Sequence, residues 1–391
     1  MKKPLFFFDE HETEYKFNDD HPFNQKRLLL TVDLLRQAGA LPKTSVRPPS
    51  MAQDEHILRV HTSSYVEAVK ALSEKLPAPE WVRKAGTYGL DTEDTPYFPN
   101  MHQATARVVG GSIAAAEAVM SGETDHALHL GGGLHHALPG KGAGFCVYND
   151  AAAAIAYIQM KYGAKVLYVD TDVHHGDGVQ WMFYSDPSVC TFSIHETGKY
   201  LFPGTGGVAE RGEGAAFGTA INMPVEPYTE DESWLACFHA VLERAVRHFR
   251  PDVIVSQHGC DAHAYDPLAH IHCSMDIYHA MPETIHRLAH EHCGGRWIAL
   301  GGGGYDIWRV VPRAWSLLWL EMSDHEIARS LKSHPQLHLP ESWRNRWQSE
   351  SPVELPPAWL DDKNAWEPMP RRLEINAKNK QTLELALMYI G

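Results

Sequence analysis

No apolar run in this chain approaches the ~20 residues that a membrane helix needs, and LFFF at 5–8 is too short for a signal-peptide core. These absences point to the cytoplasm and to no membrane partner. The six cysteines (146, 190, 237, 260, 273, 293) show no C-x-x-C spacing, which excludes a cysteine zinc knuckle and argues for reduced thiols over a disulfide framework. Positive charge is short too: 35 Lys and Arg against 49 Asp and Glu leave a net charge of −14. Direct nucleic-acid binding needs a basic face that displaces counterions, so no nucleic-acid partner is expected, whereas a lysine-bearing one would suit. No internal repeat or low-complexity tract occurs. No Walker lysine or G-x-G-x-x-G follows a strand, so the glycines at 131–133 and 301–304 carry little weight as a phosphate cradle.

What the sequence does contain is a series of short apolar runs separated by helical patterns. The runs are LFFF at 5–8, HALHL at 126–130, VLYVD at 166–170, VCTFSI at 189–194, DVIVSQ at 252–257 and WIAL at 297–300. Such alternation predicts one α/β domain with a central parallel sheet and helices on both faces. The spacing predicts a helix over 102–120 ended by Gly122, and another over 230–249, opened by a capping box from Thr229 to Glu232 and stopped before Pro251. From about residue 335 the texture becomes rich in Pro and Trp, with four tryptophans and a closing helical stretch near 373–388. We divide the chain into a catalytic domain, 1–334, and an extension, 335–391, packed on the core or at an oligomer interface. A monomer and a homodimer are both compatible with this.

The run YVDTDVHHGDGV at 168–179 ends an apolar strand with three aspartates and two histidines. Buried carboxylates and imidazoles persist when they pair or bind a cation, because an unpaired buried charge is costly. Residues two apart on an extended chain project to one side, so Asp170, Asp172 and His174 share an edge and Asp177 follows in the turn. Asp172 and His174 begin a site for a zinc-like ion and require a third ligand. Asp261 in QHGCDAH supplies it, unless it is only a turn or helix-cap aspartate. Two aspartates and one histidine leave a position open for water or substrate, as catalytic zinc sites do.

Ligands in open α/β sheets gather at the carboxyl ends of strands. There the chain places His135 and His136, the 172–177 cluster, His195 with its following loop, Asp261, and Tyr305. His135 and His136 can act as acid and base if Asp170 and Asp177 orient them; otherwise they are core histidines bonded to carbonyls. His286 and His290, one turn apart on a helix, resemble a metal clip but read better as a solvated helix face.

Taken together and in order, GGGLHHALPGKGAGFCVYND, YVDTDVHHGDGVQ, QHGCDAH and LGGGGYD resemble the zinc-dependent histone deacetylase superfamily, with its arginase-like fold. Over roughly residues 5–325 the chain is most similar to bacterial acetoin utilization deacetylases. The resemblance implies metal-dependent hydrolysis of acetyl-lysine in proteins, with small acetylated amines such as acetylpolyamines as the alternative substrate and a non-catalytic acetyl-lysine binder as a further one. It implies Zn2+ or, in the cell, Fe2+ on Asp172, His174 and Asp261. It implies tandem histidines His135 and His136 paired with Asp170 and Asp177, and Tyr305 as an oxyanion donor. Gly144, Phe145 and Phe202 would wall the tunnel for the lysine stem, Asp94 would grip substrate amides at the rim, and Arg27 would lie near an internal cavity. A structural K+ would be held by Asp170, Asp172, His174, Ser193 and Ile194, while Asp186 and Thr219 fit a second potassium site less well. The acetylated partner implied is a protein, an acetyl-coenzyme A synthetase being one candidate. Cys260 beside Asp261 would fill space or sensitise the site to oxidation.

Overall fold

The computed structural model describes residues 2–390. Eight strands form one wholly parallel sheet: β1 (Leu5–Phe7), β2 (Val46–Arg47), β3 (His126–His129), β4 (Val166–Asp170), β5 (Val189–Glu196), β6 (Ala220–Val225), β7 (Val253–Gln257) and β8 (Trp297–Leu300). Their order is β2-β1-β3-β8-β7-β4-β5-β6. All six expected strands are present. The two that the sequence did not reveal lie at the sheet's edges: β2 is two residues long, and β6 carries Pro224, which an edge strand tolerates because one side of its backbone needs no ladder donor.

Alternation along the strands sends their side chains into two apolar clusters, one on each face of the sheet. Leu167 and Val169 of β4, with Phe192 and Ile194 of β5, enter one apolar cluster, which includes Leu28, Trp234, Ile277 and Trp315 from the helices Lys26–Gln37, Asp231–Phe249, Asp276–His292 and Val311–Met322. Val166 and Tyr168 enter the other, packed against Ala115, Val119 and Ile155 of the helices Met101–Met120 and Asp150–Tyr162. Both faces of the inner strands are therefore covered, and their ends are the places free to meet solvent or ligand. The order also sets β3, β8, β7 and β4 side by side, which brings the loops following them to one crevice. Among the described residues no helix is long and apolar enough to cross a membrane.

The capping box expected at Thr229 and Glu232 does not form. The helix starts at Asp231, and its N-cap, Glu230, makes no side-chain cap bond. The Thr229 hydroxyl instead donates to the Glu226 carbonyl (2.6 Å) and accepts from Asn379 Nδ2 (2.8 Å). Asn379 belongs to the last helix, Arg372–Tyr389, so a tertiary partner took the group that a local rule had assigned.

The residues after 335 lie on the first core cluster. Trp343, Trp347, Leu355 and Trp359 are buried there, and Trp343 Nε1 donates to the Leu30 carbonyl at 3.0 Å. Asp361 meets Arg313 Nη2 at 2.9 Å and His263 Nε2 at 2.9 Å and accepts from the Met275 amide at 2.8 Å. Burial would raise its carboxyl, yet His263 and Arg313 prevail and hold it well below the carboxylate range. Asp361→Ala leaves Arg313 buried without its partner; in guanidinium unfolding monitored by circular dichroism, a loss of about 3–5 kcal/mol is expected.

Candidate active site

β4 ends at Asp170, and the bend that follows carries Asp172 and His174 into the crevice. One donor atom each from Asp172, His174 and Asp261 lies within 4.8 Å of the others, and all three residues are buried. His174 Nδ1 sits 3.2 Å from Asp172 Oδ1 and 3.1 Å from Asp261 Oδ2. Burial alone would lower the imidazole, but the two carboxylates hold it up at about 10. Burial and the charge of Asp172 push Asp261 up to about 6. Two carboxylates converging on one buried imidazole thus demand positive charge. A proton or a divalent cation satisfies them, and the two-oxygen, one-nitrogen donor set suits zinc or ferrous iron.

The surrounding backbone fixes these ligands. Asp172 Oδ2 accepts from the Gly303 amide and from Gln257 Nε2, both at 2.8 Å, while Asp261 Oδ1 accepts from the Val173 amide at 2.9 Å. Gly303 has to be glycine: a Cβ there would stand 2.1 Å from Asp261 Oδ2 and 2.8 Å from Asp172 Oδ2.

The tandem histidines belong to this centre and are not carbonyl-bonded core residues. His135 Nδ1 donates to Asp170 Oδ2 at 2.8 Å, and His136 Nδ1 donates to Asp177 Oδ1 at 2.7 Å. Each carboxylate fixes the tautomer of its ring and turns Nε2 inward, where the two Nε2 atoms stand 3.0 Å apart. The pair differs in charge. Burial opposes protonation of both, but Asp170 and Asp172 raise His135 to about 9, whereas His136, buried next to a charged His135, falls to about 4. The two imidazoles that face the same spot therefore differ in basicity. Tyr168 adds a hydroxyl to Asp170 Oδ2 at 2.7 Å.

A narrow pocket opens above, lined by Phe145, Gly144, Tyr305, His135, His136 and Asp172. The Phe145 and Tyr305 rings meet edge to face at 5.6 Å, and Phe202 sets its ring 4.9 Å from that of His136. Gly144 lies between them at φ +53°, with no room for a Cβ, which would fall 2.5 Å from His136 and 2.9 Å from Phe202. Burial and the charges of Asp261 and Asp172 keep the Tyr305 phenol well above its ordinary range, so it is a donor at neutral pH. Asp94 is exposed in the next loop, and its carbonyl meets His21 Nε2 at 3.2 Å, whose ring packs on Phe145 at 4.7 Å. The Asp94 backbone thus lies beside His21, which packs against the Phe145 wall of the pocket. Arg27 lies behind, buried, donating to the Gly304 carbonyl at 3.0 Å.

Other sequence-derived residues sit elsewhere. His195 does not reach the centre; it bonds Ser193 Oγ at 2.8 Å and the Gly206 carbonyl at 3.0 Å and packs on His175. The β5 end reaches the site only through Phe202, further along its loop. Ser193 stands beside Asp170 in strand register, with Ile194 next to it on β5. Cys260 is fully buried, and burial pushes its thiol well above the ordinary range, so it fills space and supplies no thiolate. Reading the sequence missed Gln257, which orients Asp172, as well as Thr95, whose Oγ1 holds the Phe145 amide at 3.1 Å, and Asp266, which accepts from the Tyr305 amide at 2.7 Å. Gln257 left a signal: an amide side chain ending a strand that opens Val-Ile-Val needs a buried polar partner. Gln257→Leu is expected to weaken zinc retention against a competing chelator about 10- to 100-fold with the fold intact.

Comparison with known proteins places this geometry. Residues 21–322 match the histone deacetylase domain. The Acetoin utilization protein AcuC of Bacillus subtilis (strain 168) is 49% identical over 391 residues, covering 100% of this chain and 98% of that protein. The AcuC protein of Staphylococcus aureus (strain MSSA476) is 43% identical over 388 residues, 99% of this chain and 97% of its own length. The crystal structure of an HDAC homolog from Aquifex aeolicus superposes with a TM-score of 0.84 at 26% identity, covering 99% of this chain and 100% of that one, as does an HDAC homolog complexed with SAHA. With its domain matched across most of the chain and its relatives matched end to end, this protein is a hydrolase of the histone deacetylase family, in the acetoin utilization branch.

Proposed function

We propose that the chain hydrolyses the acetyl amide of acetyl-lysine in proteins, releasing lysine and acetate. The observation that carries the reading is the meeting, at the foot of one narrow pocket, of the Asp172, His174 and Asp261 donor set with two carboxylate-oriented histidines. A zinc or ferrous ion held by those three residues supplies, when bound, a Lewis acid that polarises a carbonyl and acidifies water.

The protein groups do the rest. Phe145 and Phe202 flank a slot whose apolar walls suit a lysine methylene stem, and their rings exclude water from the amide. His136, the neutral imidazole, takes the proton of the attacking water at Nε2, with Asp177 stabilising the cation that results. His135, oriented by Asp170, assists electrostatically beside His136. As the carbon–nitrogen bond breaks, a proton passes to the leaving amine. Tyr305 donates its hydroxyl to the carbonyl oxygen as that oxygen gains charge. Asp170, beside Ser193 and Ile194 and followed by Asp172 and His174, is proposed as the side-chain ligand of a structural potassium.

One feature favours a second substrate. Asp91, Glu93 and Asp94 are all exposed along the loop at the mouth, and a carboxylate rim attracts the ammonium groups of acetylpolyamines as well as peptide amides. For a peptide, Asp94 offers acceptors to two backbone amides, and an acetylated protein such as an acetyl-coenzyme A synthetase in the cytoplasm is the partner proposed.

Acetate release from an acetyl-lysine peptide, compared with acetylspermidine, tests both readings. The metal-stripped protein is expected to be inactive and to recover with zinc, and Tyr305→Phe is expected to lower kcat about 100- to 1000-fold. A strong preference for acetylspermidine would reverse the substrate assignment, and no metal-dependent release from either compound would sink the deacetylase reading. SAHA, bound by the HDAC homolog, is expected to inhibit this protein competitively with the peptide.

A further inference from the structure

Of the two histidines read as a solvated helix face, His290 is exposed, whereas His286 is half-buried. His286 turns inward and stacks on Trp297 with ring centroids 5.7 Å apart, and both residues meet a third histidine, His126, which opens β3. The three rings lie 4.6–5.2 Å apart, and one ring nitrogen from each lies within 4.8 Å of those of the others. The catalytic loops follow the carboxyl ends of the strands, while His126 is the first residue of β3. The cluster therefore sits at the opposite end of the sheet.

Hydrogen bonds at the outer nitrogens fix the chemistry of the inner ones. His126 Nδ1 donates to the Met322 carbonyl at 3.0 Å, and His286 Nδ1 donates to Glu321 Oε1 at 2.8 Å. Each ring therefore carries its proton on Nδ1 and bears a lone pair on Nε2. Both Nε2 atoms are buried and without a hydrogen-bond partner. A buried acceptor is nearly always satisfied, and here two stand unsatisfied in one cluster. Ring packing accounts for the contacts with Trp297 but leaves both lone pairs unused.

We infer that His126, His286 and His290 form a second metal site, one that binds a divalent transition ion of the zinc type and ties β3 to the helix Asp276–His292. Imidazole nitrogens suit zinc, copper and nickel over magnesium or calcium. A carboxylate or carbonyl acceptor behind a ligating histidine, as Glu321 and Met322 provide, is the usual support of such a ligand. A fourth position falls to water or to Asp125, which with His290 borders Gly295. The role is structural: the ion joins the first residue of β3 to the helix Asp276–His292 at the end of the sheet opposite the catalytic loops.

Zinc counting on the full chain tests this apart from the catalytic reading. Protein stripped with a chelator, reloaded with Zn2+ and freed of excess by gel filtration is expected to retain about two zinc ions, and His290→Ala and Asp261→Asn about one each. His290 is exposed, so its replacement disturbs little packing. In the Asp261→Asn background, Zn2+ is expected to raise Tm by a few degrees, and adding His290→Ala is expected to abolish that rise. Zinc content and Tm response unchanged by His290→Ala in both backgrounds would overturn the inference. Loss of the ion with His290→Ala alone would support it even if the catalytic site bound none.

Discussion

Three carboxylates, Asp170, Asp172 and Asp261, stand fully buried at the ends of neighbouring strands, and the rest of the structure is arranged to make that tolerable. Removed from water, they need donors and positive charge. Backbone amides of Val173, His174 and Gly303, the amide of Gln257, the Tyr168 hydroxyl and the imidazoles of His135 and His174 supply them. The remaining demand for a cation is the site's chemical property: a centre that holds two carboxylates against one imidazole is prepared for a divalent ion.

The sheet makes this arrangement rigid. β4 and β7 are covered on both faces, so their last residues, Asp170 and Gln257, are pinned in register with each other. The next residues of each chain then meet across the crevice. Helices anchored by the tail reinforce that frame: Asp361 holds Arg313 and His263, and His263 lies two residues beyond Asp261. The same fold that gathers buried charged groups at one end of the sheet brings three histidines together at the other.

Much of the site was legible because its residues cluster in sequence. D-x-D-x-H-H-G-D at the end of an apolar strand conflicts with burial unless a cation or partners are present, and adjacent histidines after a glycine turn raise the same question. Gln257 and Asp266 were not singled out because each is one polar residue among many, and only the position of its neighbour gives it a task. His195 was misleading in the other direction: it stands near the end of β5, yet it packs on His175 and bonds Ser193 and the Gly206 carbonyl, away from the crevice.

The sequence by itself determined the α/β class, the six inner and near-edge strands, and the metal-type donors, since hydrophobic period and buried charge are local properties of the chain. Tertiary structure decided the strand order, the diversion of Thr229 from a helix cap to Asn379, and the meeting of His126 with His286 and His290. The last two outcomes depend on residues 150 to 164 positions apart, and no pattern along the chain encodes which distant group arrives first at a hydroxyl or a lone pair.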